Sequence, residues 1–306
     1  MNAEQVIQLS SRKKGISMVL LGASFWGVSG TAAQYLFQKQ GFSPEWLTVM
    51  RLLISGVLLL GIAYKKEKNL LWGIWKNKTD RISILLFGIL GMLAVQYTYF
   101  AAIKEGNAAT ATVLQYLAPA LITCYAAIRA RSLPSKTVAV SVIFAILGTF
   151  LLVTGGQIHT LSISGWAVFW GITSAFALAF YTLQPKKLLL KWGSALVVGW
   201  GMLIGGIFFS LIHPPWRFSG QWSLSSLAAV AFVILFGTIL AFYFYLESTK
   251  YISATEVSLL ASAEPLSATF ISIVWLQVPF GLAEWIGTLC IVGTITILSI
   301  VKAEKK

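Results

Sequence analysis

Residues 91–119 read GMLAVQYTYFAAIKEGNAATATVLQYLAP, and residues 237–265 read GTILAFYFYLESTKYISATEVSLLASAEP. Six identical residues recur between the two stretches at an offset of 146: Gly91 and Gly237, Tyr97 and Tyr243, Tyr99 and Tyr245, Lys104 and Lys250, Ala108 and Ala254, and Pro119 and Pro265. One match means little in apolar sequence, but six in register with the hydrophobic pattern indicate a repeat. The chain is therefore predicted to consist of two related halves, residues 1–155 and 156–306.

The composition around these stretches is that of a membrane protein. Hydrophobic residues make up 57% of the chain and charged residues 11%, with a mean hydropathy of +0.79, whereas a soluble domain has about 25% charged residues. A soluble protein with a very large core is the alternative, and it would need far more polar surface. Runs of about 20 apolar residues match the thickness of a bilayer. We predict an all-α integral membrane protein of the cell membrane with ten spans, at about residues 16–37, 46–64, 82–103, 108–128, 137–155, 165–184, 195–213, 226–248, 254–275 and 282–301.

The net charge of +13 does not indicate a nucleic-acid partner, because the basic residues lie between the apolar runs rather than on one face. With the N-terminus inside, 19 Lys and Arg residues fall in the inner connections and termini. Only Lys39, Lys104 and Arg217 fall in the outer connections. The positive-inside rule therefore predicts a multi-pass protein with both termini cytoplasmic.

The loop charges also predict how the two halves are related. Five spans per half is an odd number, so the second half must enter the membrane in the opposite orientation. The connection after span two holds six basic residues, and its counterpart after span seven holds only Arg217. Loop charges that invert between two copies are typical of a transporter built from inverted repeats.

The chain resembles the ten-span members of the EamA-type family in the drug/metabolite transporter superfamily, over about residues 14–301. The resemblance is carried by Trp26-Gly27, Arg51, Tyr99-Phe100-Ala101-Ala102-Ile103, Pro119, Glu264-Pro265, Gly287 and Gly293. Members often carry a Gly-Glu pair after spans four and nine, where this chain has Arg131-Ser132 and Gln277-Val278, so no coupling role is carried over there. The resemblance implies a secondary transporter, usually an exporter, of amino acids, amines, carboxylates or other small metabolites. It also implies a central cavity lined by spans 1, 3, 4, 6, 8 and 9.

Glu264 is the candidate for chemistry, because a polar side chain at membrane depth is costly and needs a reason. It lies about halfway through span nine, and Pro265 frees a backbone carbonyl one turn earlier. Glu264 could carry a coupling proton or bind an amine of the substrate. Alternatively, it is a protonated, hydrogen-bonded acid that joins two helices. Glu256 is interpreted as a carboxylate favoured by a helix N-terminus, and Glu247 as part of an interfacial pair with Lys250.

Six further residues complete the predicted substrate-binding and coupling set. Arg51 lies about five residues into span two; it either reaches the lipid headgroups or serves as a counter-ion for an acidic substrate or a carboxylate of the protein. Amide and aromatic side chains that can bind varied solutes are predicted to line the cavity: Trp26, Gln96, Tyr99, Gln115 and Tyr181. Gln96 and Tyr99 are three residues apart and share a helix face. For each of these five, helix packing or an interfacial aromatic belt is the alternative.

The sequence indicates no cofactor, no metal and no enzymatic activity, because it lacks a phosphate-binding loop, a metal-ligand pattern and a Ser-His-acid set within the membrane. Two rival functions remain. A passive channel or facilitator would not use Glu264, and an intramembrane lipid-modifying enzyme would need a charged or metal-binding cluster at one interface. The expected partners are a small-molecule substrate, a coupling proton or ion, and the lipid bilayer. A monomer contains both halves, so a dimer is compatible but not required.

Overall fold

The computed structural model describes residues 3–66, 71–129, 131, 136–157, 162–252, 256–257 and 260–304. Helices run over Ala3–Lys39, Pro44–Lys66, Gly73–Lys76, Lys78–Leu86, Ala94–Glu105, Ala108–Gln115, Ala118–Arg129, Lys136–Thr154, Gly165–Leu183, Lys186–Trp192, Ser194–Ile212, Leu224–Ile234, Ala241–Ser248, Ala263–Leu276 and Leu282–Glu304, and π-helical turns run over Phe87–Leu93 and Leu235–Leu240. No strand occurs within these described ranges. The prediction of an all-α protein is confirmed.

The described residues contain ten apolar helical segments. Seven are long and apolar enough to cross a membrane and three are shorter apolar helices; in chain order, segments 1 to 10 are Arg12–Lys39, Pro44–Lys65, Lys78–Glu105, Ala108–Arg129, Ala139–Thr154, Gly165–Leu183, Ser194–Ile212, Leu224–Ser248, Ala263–Leu276 and Leu282–Ile297. Segments 5, 9 and 10 are the shorter helices. Span nine was predicted over residues 254–275, of which 254–255 and 258–259 lie outside the described residues.

The connections between segments collect at two ends of the molecule. At one end, the backbone N–H of Gln221 donates to the carbonyl of Gln40 (2.9 Å), which joins the connection after segment 7 to that after segment 1. At the other end, Arg12 pairs with Glu256 (2.8 Å), which joins the N-terminal helix to the residues before segment 9. The end with the Arg12–Glu256 pair is called the N-terminal end below, and the end with the Gln221–Gln40 bond is called the opposite end.

The main helix contacts join one half of the chain to the other. Segment 2 packs along segment 7, and segment 5 packs along segment 10. Segment 1 packs against segments 8 and 9, and segment 6 packs against segments 3 and 4. These two groups are called the 1–8–9 bundle and the 3–4–6 bundle.

The two bundles meet in the half of the molecule near the opposite end. Segment 1 contacts Ala94–Glu105 of segment 3 and Ala108–Gln115 of segment 4, and the latter also contacts Ala263–Leu276 of segment 9. A polar bond crosses this junction, because the backbone N–H of Ala108 donates to the side-chain oxygen of buried Gln34 (2.8 Å). The bundles are therefore closed against each other toward the opposite end.

Segments 5 and 10 cross at two glycines that face each other. A Cβ atom added to Gly148 would lie 2.7 Å from the carbonyl oxygen of Gly287, and one added to Gly287 would lie 2.7 Å from the carbonyl oxygen of Gly148. Small residues at helix crossings allow backbones to approach closely in membranes. The crossing therefore leaves no room for a side chain at position 148 or at position 287.

Segments 3 and 8 each contain a π-helical turn. The turns Phe87–Leu93 and Leu235–Leu240 include Gly91 and Gly237, the first matched pair of the sequence repeat. A π-helical turn changes the hydrogen-bond pattern of its helix and is frequent at functional sites. Corresponding positions in the two halves therefore depart from the α-helix in the same way.

Helical structure is also interrupted in segment 4 and just before segment 9. Tyr116 and Leu117 form a turn, and Ala261 and Ser262 form another. A repeated proline follows each turn by a few residues, at positions 119 and 265. Proline removes a backbone donor and leaves the carbonyl four residues earlier without its helical partner. Both interruptions lie between helical residues, so each leaves backbone carbonyl groups outside a regular α-helical bonding pattern.

Candidate functional site

Glu264 lies beside the interruption before segment 9 and is held by a tyrosine of segment 4. The Tyr116 hydroxyl lies 2.8 Å from Glu264 Oε2 and 2.9 Å from the Ala261 carbonyl oxygen, and it can donate its one proton to either of them. Pro265 cannot donate to the Ala261 carbonyl, which accepts instead from the backbone N–H of Glu264 (3.0 Å) and from Tyr116. The two helix interruptions are thus linked to each other through Tyr116, and Glu264 belongs to that link.

Further groups surround this carboxyl. Glu264 interacts electrostatically with Arg51, Tyr99, Tyr116 and Tyr245. Arg51 and Glu264 do not form a direct ion pair; the ion pairs of the described residues involve other side chains. Buried Tyr99 shares a hydrogen bond of 2.7 Å with Thr112 Oγ1. The structure therefore brings predicted residues Arg51, Tyr99 and Glu264 into one cluster.

Arg51 is turned into the protein. Its side chain is 7% exposed, and Nε donates to Thr238 Oγ1 (2.6 Å) while Nη2 donates to the Gly237 carbonyl (3.1 Å). Both acceptors belong to the π-helical turn of segment 8. The guanidinium carbon also lies 5.2 Å from the centre of the Phe100 ring. The alternative in which Arg51 reaches the lipid headgroups is wrong, because the π-helical turn supplies polar partners inside the bundle.

The two predicted glutamines are buried without strong partners. Gln96 is 7% exposed and Gln115 is 8% exposed. The amide nitrogen of Gln96 lies 3.8 Å from the Met92 sulfur, and its oxygen has no partner. No hydrogen bond of the described residues joins either glutamine to the Glu264 cluster. A buried amide without a partner is costly, so both remain candidate substrate contacts.

Trp26 and Tyr181 approach the cluster through Tyr245. The ring centres of Trp26 and Tyr245 are 5.2 Å apart, and Trp26 is also 5.2 Å from the ring of Phe242. Tyr181 stacks on Phe87 of the π-helical turn in segment 3 (5.4 Å) and interacts electrostatically with Tyr245. Segments 1, 6 and 8 thus each supply an aromatic side chain to the same region.

The aromatic side of the cluster borders an internal space. Tyr116, Tyr181, Tyr245 and Glu264 lie deep in the protein, yet each of these side chains is only half-buried. Trp26 is half-buried as well. Accessible surface at this depth requires a space between the helices. Such a space, with apolar walls and a few convergent polar groups, is typical of a ligand site.

A separate cavity of about 510 Å³ opens at the opposite end. Residues of segment 1 and of the connections after segments 3, 5 and 9 line it, among them Gln38, Lys39, Asn107, Gln277 and Glu284. The Glu264 cluster does not line this cavity. The chemistry therefore favours the internal space at Glu264 as the candidate site, since the titratable and aromatic groups converge there.

The other acidic residues singled out in the sequence form ion pairs at the N-terminal end. Glu247 pairs with Lys250 (2.6 Å), as predicted for an interfacial pair. Glu256 pairs with Arg12 (2.8 Å), a partner that its position at a helix start did not indicate. Within the described ranges, no three His, Cys, Asp or Glu side chains come together to hold a metal ion.

Replacing Tyr116 with phenylalanine tests the link between the two interruptions. The Tyr116→Phe protein is expected to lose about 1–3 kcal/mol of stability, because Glu264 Oε2 would lose its hydroxyl donor, while the Ala261 carbonyl would keep only the backbone N–H of Glu264 (3.0 Å). Chemical unfolding in detergent micelles measures the loss. The matched control is Tyr243→Phe, since Tyr243 is exposed and its hydroxyl bonds to none of the described residues; an equal loss in both variants would contradict the role of Tyr116.

Several contributors to the cluster were not predicted from the sequence as site residues. Thr238 and the Gly237 carbonyl belong to a π-helical turn that apolar sequence does not reveal, and Thr112 lies within a regular helix. Tyr116 and Tyr245 lie in spans that were predicted to line the cavity, although they were not in the predicted binding set; Tyr245 matches Tyr99 in the repeat, and Tyr116 lies three residues before Pro119.

Comparison with known proteins agrees with this architecture. The model of the EamA-like transporter family matches residues 13–154 and again residues 165–300. An uncharacterized inner membrane transporter, YicL of Salmonella typhimurium, is 38% identical over 292 residues, which cover 95% of this chain and 97% of that protein. The uncharacterized transporter YyaM of Bacillus subtilis is 26% identical over 302 residues, which cover 95% of each chain.

A solved crystal structure has the same fold. It aligns with 97% of this chain and 99% of its own, with a TM-score of 0.61 and 18% identity. At that identity the likeness concerns the fold alone. The family model covers nearly the whole chain, and the resemblance noted in the sequence is confirmed. This multi-pass membrane protein belongs to the EamA-like transporter family, within the drug/metabolite transporter superfamily.

Proposed function

We propose that the protein is a secondary active transporter that exports small metabolites, such as amino acids, amines or carboxylates. In this proposal the substrate binds in the internal space at Glu264, and transport proceeds by alternating access. The observation that carries the proposal is the Tyr116–Glu264 contact at the junction of two interrupted helices. Membrane transporters commonly bind substrates and coupling ions where helices are broken.

Two inverted halves, residues 1–155 and 156–306, are part of this proposal. Exchanging each segment with its counterpart five places along converts the 1–8–9 bundle into the 3–4–6 bundle. The same exchange leaves the pairs 2–7 and 5–10 unchanged. It also exchanges segments 3 and 8, each of which contains a π-helical turn. These correspondences support a pseudo-two-fold relation between the halves, as in other transporters with inverted repeats.

A proton on Glu264 is our proposal for coupling. Tyr116 has one hydroxyl proton but two acceptors, Glu264 Oε2 and the Ala261 carbonyl, at 2.8 and 2.9 Å. If Glu264 is protonated, it can donate to Tyr116 while Tyr116 donates to Ala261, so that every group has a partner. Loss of the proton breaks this chain of donors, which gives protonation a means of altering the contact between segment 4 and segment 9.

The packing supports a state open toward the N-terminal end. Toward the opposite end the bundles are in contact, whereas Ala118–Arg129 of segment 4 and Ala241–Ser248 of segment 8, which extend toward the N-terminal end, make no comparable contact with each other. The half-buried side chains of Tyr181 and Tyr245 lie on this side of the cluster. Export would require rocking of one bundle against the other to close this side and open the opposite one.

We assign the protein to the cytoplasmic membrane with its N-terminal end toward the cytoplasm. The division of 19 basic residues against three supports this orientation by the positive-inside rule. The Salmonella relative is also named as an inner membrane transporter. The monomer contains the complete cluster, so transport in this proposal does not require a dimer.

The test is a screen for ligands that stabilise the purified protein. Amino acids, amines, carboxylates and nucleosides would be compared by thermal unfolding at two pH values. A ligand present at 100 times its Kd stabilises the native state by about 2.7 kcal/mol, so a substrate class is expected to raise Tm measurably. If every class leaves the Tm of a cooperatively unfolding protein unchanged, the proposed binding of these solutes is contradicted.

A further inference from the structure

A groove on the outer surface of the helices lies at the N-terminal end, away from the Glu264 cluster. It has a volume of about 360 Å³ and lies between the start of segment 3 and the end of segment 6. Its lining residues are Lys78, Thr79, Ile82, Ser83, Leu86 and Gln184. The base is held together by Gln184, whose amide nitrogen donates to the carbonyl and the hydroxyl oxygen of Ser83 (both 2.9 Å). The groove is therefore a built feature between two helices.

The polarity of the groove changes along its length. Lys78, Ile82 and Leu86 follow one another at intervals of four residues, so they form a stripe on one helix face. Lys78 is exposed at the polar end, and Ile82 and Leu86 remain 47% and 44% exposed below it. Eight residues of helix span about 12 Å. The stripe thus runs over about 12 Å from an exposed cation to exposed apolar surface.

The charge of the surrounding surface is positive. Arg81, Lys186 and Lys187 are exposed within a few residues of the groove. The acidic residue nearest in sequence, Asp80, is engaged elsewhere, because it accepts from Lys191 Nζ (2.6 Å) and Trp192 Nε1 (3.2 Å). None of the lining residues is acidic. The mouth of the groove therefore attracts an anion, and among the described residues no carboxylate pairs with Lys78 to compete with it.

We propose that this groove binds one anionic phospholipid of the surrounding membrane. The phosphate lies at the Lys78 ammonium and the Thr79 hydroxyl, and one acyl chain lies along Ile82 and Leu86. Basic pockets between transmembrane helices on the cytoplasmic side are suited to anionic headgroups. A phospholipid fits both halves of the groove, whereas a soluble phosphate ester would leave the apolar half uncovered. This site is separate from the proposed substrate site and does not depend on transport.

Native mass spectrometry of the full chain in detergent tests the proposal, with phosphatidylglycerol and phosphatidylcholine as probes. One phosphatidylglycerol is expected to bind in preference to phosphatidylcholine. Lys78→Gln is expected to weaken its binding about fivefold, the effect of removing one basic group at a membrane surface. Lys13→Gln removes the same charge from an exposed residue outside the groove, and this control is expected to bind as the unsubstituted protein does.

A second pair of variants tests the apolar half. Ile82→Trp fills the groove and is expected to abolish preferential binding, whereas Leu85→Trp changes a neighbouring exposed residue that does not line it. Unchanged Tm in all variants shows that each is folded. Equal binding of both lipids, or undiminished phosphatidylglycerol binding in both Lys78→Gln and Ile82→Trp, would overturn the proposal. Competition by glycerol phosphate as strong as by the lipid would also overturn it in favour of a soluble phosphate site.

Discussion

A Glu264→Gln protein is expected to exchange its substrate across a membrane but to lose the ability to accumulate it against a gradient. Glutamine keeps the size of the side chain and can still accept from the Tyr116 hydroxyl, which lies 2.8 Å from the Glu264 carboxylate. It cannot take up or release a proton, so the coupling step fails while the binding space persists. The measurement is uptake into proteoliposomes under an imposed pH gradient, compared with counterflow of labelled substrate at equal pH.

The control for this experiment is Glu247→Gln. Glu247 carries the same group but pairs with Lys250 at the N-terminal end, outside the cluster. It is expected to accumulate substrate as the unsubstituted protein does. If Glu264→Gln also accumulates substrate uphill at an unchanged rate, Glu264 does not carry the coupling proton. If neither the unsubstituted protein nor the variants ever exceed equilibrium, a passive facilitator describes the protein better.

The largest loss of stability is expected from Gly27→Ala. A Cβ atom on Gly27 would lie 2.6 Å from the carbonyl oxygen of Glu264 and 2.7 Å from the backbone nitrogen of Ala268, and it would also overlap the Ser267 hydroxyl. Two of these three neighbours are backbone atoms, so relief requires segment 1 to move away from segment 9. Overpacking of this kind costs about 1–3 kcal/mol or more, which exceeds the helix propensity of about 1 kcal/mol that alanine gains over glycine.

Gly293→Ala is the matched control, because a Cβ atom there meets nothing within 4 Å. Helix propensity then acts alone, and the control is expected to be as stable as the unsubstituted protein or more so. Thermal unfolding in detergent would compare the two variants. Because Gly27 contacts the Glu264 backbone, substrate-dependent stabilisation should also fall in Gly27→Ala. A Gly27→Ala protein as stable as Gly293→Ala would show that segments 1 and 9 can separate at little cost.

Much of the fold could be predicted from the lengths of the apolar runs and from short motifs in the sequence. Runs of apolar residues predicted an all-helical membrane protein, and a set of short motifs indicated the family; both are confirmed. Glu264-Pro265 was also expected to alter the local backbone bonding, and the carbonyl at position 261 accepts from the Tyr116 hydroxyl and from the backbone N–H of Glu264. The ten full spans, the inverted relation of the halves and the role of each site residue stay predictions.

What the sequence could not reveal depends on the backbone. Gly91 and Gly237 were visible as repeated residues, but nothing in their neighbourhoods distinguishes a π-helical turn from an α-helix. Without that turn, Arg51 has no polar acceptor within the bundle, and the lipid headgroups are the natural destination for a long basic side chain. The Gly237 carbonyl and the Thr238 hydroxyl provide acceptors instead. The π-helical turn therefore decides against the headgroup alternative for Arg51, which the sequence had left open.

The crossing of Gly148 and Gly287 has a consequence for how this chain can change over generations. Most tight contacts can drift, because a larger residue on one side is rescued by a smaller one on the other. Here each Cβ atom would meet the carbonyl oxygen of the facing glycine at 2.7 Å, and glycine has no smaller replacement. No second mutation at the facing position can therefore compensate, and a selection for suppressors of Gly148→Ala should recover reversion rather than changes at Gly287.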